Sequence, residues 1–123
     1  MNGARVLVAC EVRSYREAIA AAFRLLRPNV EVFEAEDEDL DWEVGRLGPD
    51  LVVCSRLTAW VENRAPNWVE LYPGYGPRSV VSVRGERSTI EEIQLSDLLS
   101  VIDETVKKGF NRARGSRAPL EGS

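Results

Sequence analysis

The chain reads as an α/β domain: a three-layer sandwich on a mostly parallel sheet, strand order 2-1-3 in its first half, with an antiparallel hairpin in its second half. Three observations predict this. Arg5 to Cys10 and Leu51 to Cys54 are short continuous apolar runs, the composition of strands buried on both faces. The segments between them alternate between helical and strand spacing, as in parallel strands joined by crossovers. At 123 residues the chain is long enough for one domain and one core, without a metal or disulfide staple.

The elements follow in order. After the Arg5 to Cys10 strand, Ser14 with Glu17 forms a capping box, and Ala18, Ile19, Ala22, Phe23 and Leu26 recur at helical spacing until Pro28. Val30 to Ala35 alternates weakly and reads as an outer strand. An acidic stretch leads into a short helix from about Asp39 to Leu47, ended by Gly48-Pro49, and Leu51 to Cys54 is the third strand. Trp68 to Tyr72 and Ser79 to Val83 are strand-like. The PGYGPR link between them is too short for a crossover helix, so these two strands pair antiparallel. Thr89 to Ile93 is either a last short strand or a helix start, because Thr89 and Glu92 also make a capping box. Leu95, Leu98, Leu99, Ile102 and Val106 give an amphipathic helix, with Gly109 as its stop.

Composition narrows the chemistry. The sequence has no histidine, which removes Ser-His-Asp and Cys-His catalysis, His-ligated zinc and the usual base near neutral pH. Two cysteines are too few for a four-thiolate zinc site, and no metal or cofactor is expected. The N-terminal apolar run, Val6 to Cys10, is too short for a signal-peptide core, and no stretch is long enough to span a bilayer. Two cysteines without a disulfide framework fit reduced thiols, so a cytoplasmic location is expected. Net charge is -4, but it is uneven. Glu34 to Glu43 holds seven acids in ten residues, a solvated helix start that lacks the spacing and glycine of a calcium loop. Lys107 to Arg117 holds five bases, and without residues 107–123 the body has 11 bases and 19 acids. An acidic body is a poor nucleic-acid binder, and the basic end reads as a flexible, solubilising tail.

The segments RVLVACEVRSYREAIAAAF, VEVFEAED and GPDLVVCS, and later SVVSVRGE and LSDLLSVIDETV, together resemble a response-regulator receiver domain of flavodoxin-like type. The likeness covers residues 5–55 best and leaves 56–78 unmatched. It implies a receiver-like domain over 1–109 and a tail over 110–123. It also implies a set of site positions. The family's acidic, magnesium-holding pair falls on Cys10 and Glu11, its phosphoacceptor aspartate on Ser55, its switch hydroxyl on Ser82, and its lysine near Glu91. A serine cannot form the acyl phosphate that drives the switch. Glu11 alone is a weak magnesium site, and Glu91 would repel a phosphoryl group. The crossover helix after the fourth strand is missing as well. The resemblance therefore implies a degenerate receiver, a non-enzymatic signalling or interaction module whose partner is another protein or a second copy of itself.

Other constellations compete. Cys10 and Arg16 have the C-x5-R spacing of a phosphatase loop, in which the cysteine attacks phosphorus and the arginine clamps the oxygens. The loop nevertheless lacks the glycine that a backbone cradle uses. Cys10 and Cys54 close neighbouring strands and are a possible redox pair. Trp60, Trp68, Tyr72 and Tyr75 gather in the unmatched segment as a candidate interface for a partner or for a homodimer.

Overall fold

The computed structural model describes residues 3–115, and side chains through residue 106. The element order is β1 (Arg5–Ala9), α1 (Arg13–Leu26), β2 (Glu31–Glu34), α2 (Leu40–Leu47), β3 (Leu51–Cys54), α3 (Ala59–Arg64), β4 (Asn67–Glu70), β5 (Arg78–Val83), β6 (Glu86–Glu91) and α4 (Leu95–Gly115). Short 3-10 turns at Asp37–Asp39 and Pro73–Tyr75 precede α2 and β5. One six-stranded sheet runs β2-β1-β3-β4-β5-β6. β2, β1, β3 and β4 are parallel, and β5 and β6 continue antiparallel. The fold is a three-layer α/β sandwich, with the 2-1-3 order and the β4–β5 hairpin that the sequence predicts.

Two apolar layers account for the unbroken apolar runs. On one face Val6, Val8, Cys10, Leu51 and Val53 pack under Ile19, Ala20 and Phe23 of α1 and Leu98, Val101 and Ile102 of α4. On the other face Leu7, Ala9, Val52, Cys54 and Trp68 meet Leu40, Val44 and Leu47 of α2 and Val61 of α3. Alternate residues of β1 and β3 serve opposite layers, so every position must be apolar. The edge strands differ: β2 is half exposed, and β6, with Glu86, Arg87 and Glu91, is charged, which discourages pairing with other chains.

Several local expectations are corrected. The Ser14–Glu17 capping box does not form. The Arg16 amide already donates to the Val12 carbonyl (2.9 Å), so α1 starts at Arg13 and Ser14 lies inside its first turn. Glu17 instead pairs with Arg13 across one turn at 2.9 Å. Of the two alternatives for Thr89 to Ile93, the strand forms, as the end of β6 (Glu86–Glu91), and the helix start does not. The Arg84-Gly85 link has positive φ at both residues (56° and 80°), as a two-residue type I′ hairpin turn requires. Asn67 accepts the Arg84 amide at 3.0 Å and fixes this turn against β4. Helix α3 is an addition. Thr58 caps it by accepting the Val61 amide (3.1 Å). Gly109 does not end α4, which continues to Gly115; the rest of the expected tail, residues 116–123, lies outside the described residues. No helix among the described residues is long and apolar enough to cross a membrane.

Candidate functional site at the ends of the parallel strands

β1 has β2 on one side and β3 on the other, so the chain reverses its direction of travel across the sheet at this point. In open α/β sheets the crevice outside the carboxyl ends of such strands is where ligands bind. A cleft of about 340 Å³ opens there, between the loops that follow β1, β3 and β4.

The loop after β1 supplies Glu11, Val12 and, from the first turn of α1, Tyr15; the loop after β3 supplies Ser55 and Arg56. The end of β4 and its turn supply Glu70, Tyr72 and Tyr75. The Ser55 hydroxyl accepts the Glu11 amide at 2.8 Å, tying the first two loops together. Glu70 accepts the Leu57 amide at 2.9 Å and holds the third loop to the second. Arg56 is ion-paired with Asp37. The Tyr75 hydroxyl donates to Glu11 across the mouth at 3.4 Å. Deeper in, the Tyr72 hydroxyl donates to the Ile93 carbonyl (3.2 Å), and its amide donates to the Ser79 hydroxyl (3.0 Å). Partial burial, and then its neighbour Tyr72, push the Tyr15 phenol up to about 12, so it stays neutral near physiological pH. Tyr72 and Tyr75 both have left-handed backbone (φ 47° and 62°), a conformation that costs a non-glycine residue about 1–2 kcal/mol.

Of the positions carried over from the receiver resemblance, Cys10, Glu11 and Ser55 come together here. Ser82 and Glu91 do not join them. β5 runs antiparallel to β4, with Ser82 opposite Trp68, so Ser82 lies toward the other end of the sheet, and Ser79 is the β5 hydroxyl at the cleft end. Glu91 sits at the end of edge strand β6, paired with Arg78 at 3.4 Å.

The cysteine readings meet geometric obstacles. Burial pushes the Cys10 thiol up to about 11, although a hydrogen bond with Ser55 and the Arg16 charge act the other way. Arg16 is itself buried, and its guanidinium donates to the Cys10 carbonyl at 3.2 Å, which holds it against the backbone of the loop. Such a thiol is a poor nucleophile. Cys54 is also raised, mainly by burial and then by Glu70. In the β1–β3 register Ala9 lies opposite Cys54, so Cys10 points to the other face of the sheet. The two thiols are free and cannot be bridged without rebuilding a strand.

The four aromatic residues do not form one patch. Trp68 is buried under α2 and α3, with the Arg87 guanidinium 5.1 Å from its ring. Trp60 lies on α3, 40% exposed, under the Arg64 guanidinium at 3.4 Å. Only Tyr72 and Tyr75 reach the cleft; Tyr75 is 88% exposed. Sequence reasoning missed Tyr15, Arg56 and Glu70 as lining residues. Each lies within a few residues of the end of a parallel strand, which is the signal that finds them. It also missed Trp42, 71% exposed on α2 and off that helix's buried stripe of Leu40, Val44 and Leu47.

Fold and cleft together define the class: a three-layer α/β domain with a polar and aromatic cleft at the topological switch point. No family model, curated protein or solved structure matches the chain.

Proposed function

We propose that the chain is a non-enzymatic, receiver-like interaction module in signal transduction, working without aspartyl phosphorylation and contacting its partner, another protein, through the switch-point cleft. The observation that carries this reading is the Ser55–Glu11 contact: the acceptor position at the end of β3 holds a serine whose hydroxyl is committed to the backbone of the β1–α1 loop. Two acids at this end of the sheet are engaged, Asp37 by Arg56 and Glu70 by the Leu57 amide. The elevated Cys10 thiol and the engaged Arg16 support a binding role over a catalytic one. Two buried free thiols support a reducing, cytoplasmic setting.

Incubation with acetyl phosphate and magnesium tests the reading by intact mass. The account predicts no stoichiometric gain of a phosphoryl group. A full single gain would overturn it, as would turnover of an aryl phosphate that disappears in Cys10→Ser.

A further inference from the structure

We propose that the switch-point cleft takes an organic cation, a guanidinium or ammonium group on an apolar stem; this rests on reading the chain as a binding module. Three phenol rings, Tyr15, Tyr72 and Tyr75, line one opening of about 340 Å³, at the lower end of the roughly 300–1,000 Å³ typical of small-ligand sites. Aromatic faces attract cations through the ring quadrupole. Two carboxylates line the same cleft. Glu70 is partly spent on the Leu57 amide, but Glu11 has only the long 3.4 Å contact from Tyr75 among the described residues. A carboxylate has about four acceptor positions, so most of the Glu11 capacity is open to a donor. Arg56, the basic residue of the lining, is ion-paired with Asp37, and its charge also acts on Glu11 and Tyr75, so an incoming cation competes with it there.

The surroundings favour the same sign of charge. β2 is parallel to β1, so the acidic segment that follows Glu34 starts at this same end of the sheet. Acidic residues beside a cleft raise the local concentration of cations and disfavour phosphate or carboxylate ligands. The left-handed backbone at Tyr72 and Tyr75 sets where two of the three rings sit. A guanidinium or ammonium entering over Tyr75 would meet Glu11 at the mouth and the Tyr15 and Tyr72 rings deeper in.

The test is an amide-resonance titration of the full chain at low salt with Nα-acetyl-L-argininamide, with a short arginine-containing peptide, and with Nα-acetyl-L-citrullinamide as the neutral isostere; the acetyl groups remove the α-ammonium charge, so argininamide and citrullinamide differ only in the guanidinium. Saturable shifts are expected at Glu11, Tyr15, Ser55 and Tyr75 with the two cations, and none with citrullinamide. Glu11→Gln and Tyr75→Ala, both at exposed side chains, are expected to weaken binding by about two- to fivefold each while the rest of the spectrum stays unchanged. A peptide that binds at least as tightly as argininamide places the cation on a protein partner; tighter binding by argininamide places it on a free small molecule. Equal binding of citrullinamide, no saturation with either cation, or shifts centred on Trp42 and Trp60 would overturn the proposal. Those failures leave the non-enzymatic reading standing, because that reading fails on phosphoryl gain or Cys10-dependent turnover.

Discussion

Cys54→Ala leaves Cys10 as the sole thiol of the chain and turns its environment into a measurable rate. Cys10 is fully buried between β1 and α1, and its thiol rises from 9.0 to about 11, chiefly through burial. Each unit is a tenfold change in the protonation equilibrium, so below pH 9 the protein holds about a hundredfold less thiolate than an unperturbed thiol would. Only the thiolate attacks. Alkylation of Cys10 by iodoacetamide near neutral pH should therefore run at least about a hundredfold slower than that of free N-acetylcysteine. The logarithm of its rate should rise with a slope of one per pH unit toward pH 11. Steric exclusion by the packed α1 face slows it further. A rate near that of the free thiol, or a plateau at neutral pH, would refute this reasoning and restore Cys10 and Arg16 as a nucleophile and its clamp.

Further outcomes follow from the same structure. Folded Cys10 keeps its proton to about pH 11 while the unfolded chain ionises near 9.0, so this group's contribution is full below 9 and is lost as pH rises toward 11. That loss is about 2–3 kcal/mol at 1.36 kcal/mol per unit. In urea melts from pH 8 to 11, Cys54→Ala, which removes the likewise raised Cys54 thiol, should lose about this much more stability than the Cys10→Ala, Cys54→Ala double variant. Phe23→Ala empties a fully buried position under α1 and should cost about 3–5 kcal/mol in chemical denaturation; a loss below 1 kcal/mol would contradict the packing described. Gly48 ends α2 with φ 57°, and a Cβ there would meet no atom within 4 Å. Gly48→Ala should therefore cost only the left-handed backbone penalty, about 1–2 kcal/mol in the same assay.

What the sequence made legible depends on how local the determinant is. β1, β3, α1 and α4 were readable because an apolar run or a helical stripe is written in consecutive residues, and Gly48 ends α2 in its own φ. The β5–β6 hairpin was harder to read, because Arg84-Gly85 reaches the positive φ values of a tight turn without an Asn-Gly signature. Helix α3 is six residues long, too short to show a period, and is marked only by the Thr58 cap. The candidate site was legible in part. Glu11 and Ser55 follow strands whose order could be inferred. Ser82 was misplaced because its position depends on strand direction: β5 runs antiparallel, which exchanges Ser82 for Ser79 at the cleft end. The separation of Cys10 from Cys54 depends on a one-residue register, Ala9 opposite Cys54, that only the folded sheet defines.

The central claim is that the end of β3 carries a fixed contact in place of a phosphoacceptor. The Glu11 amide, which donates to the Ser55 hydroxyl at 2.8 Å, reports on that contact directly. Its resonance should stay in place when acetyl phosphate and magnesium are added to the full chain, with the intact mass unchanged. Displacement of the Glu11 resonance together with the gain of one phosphoryl group would contradict the account.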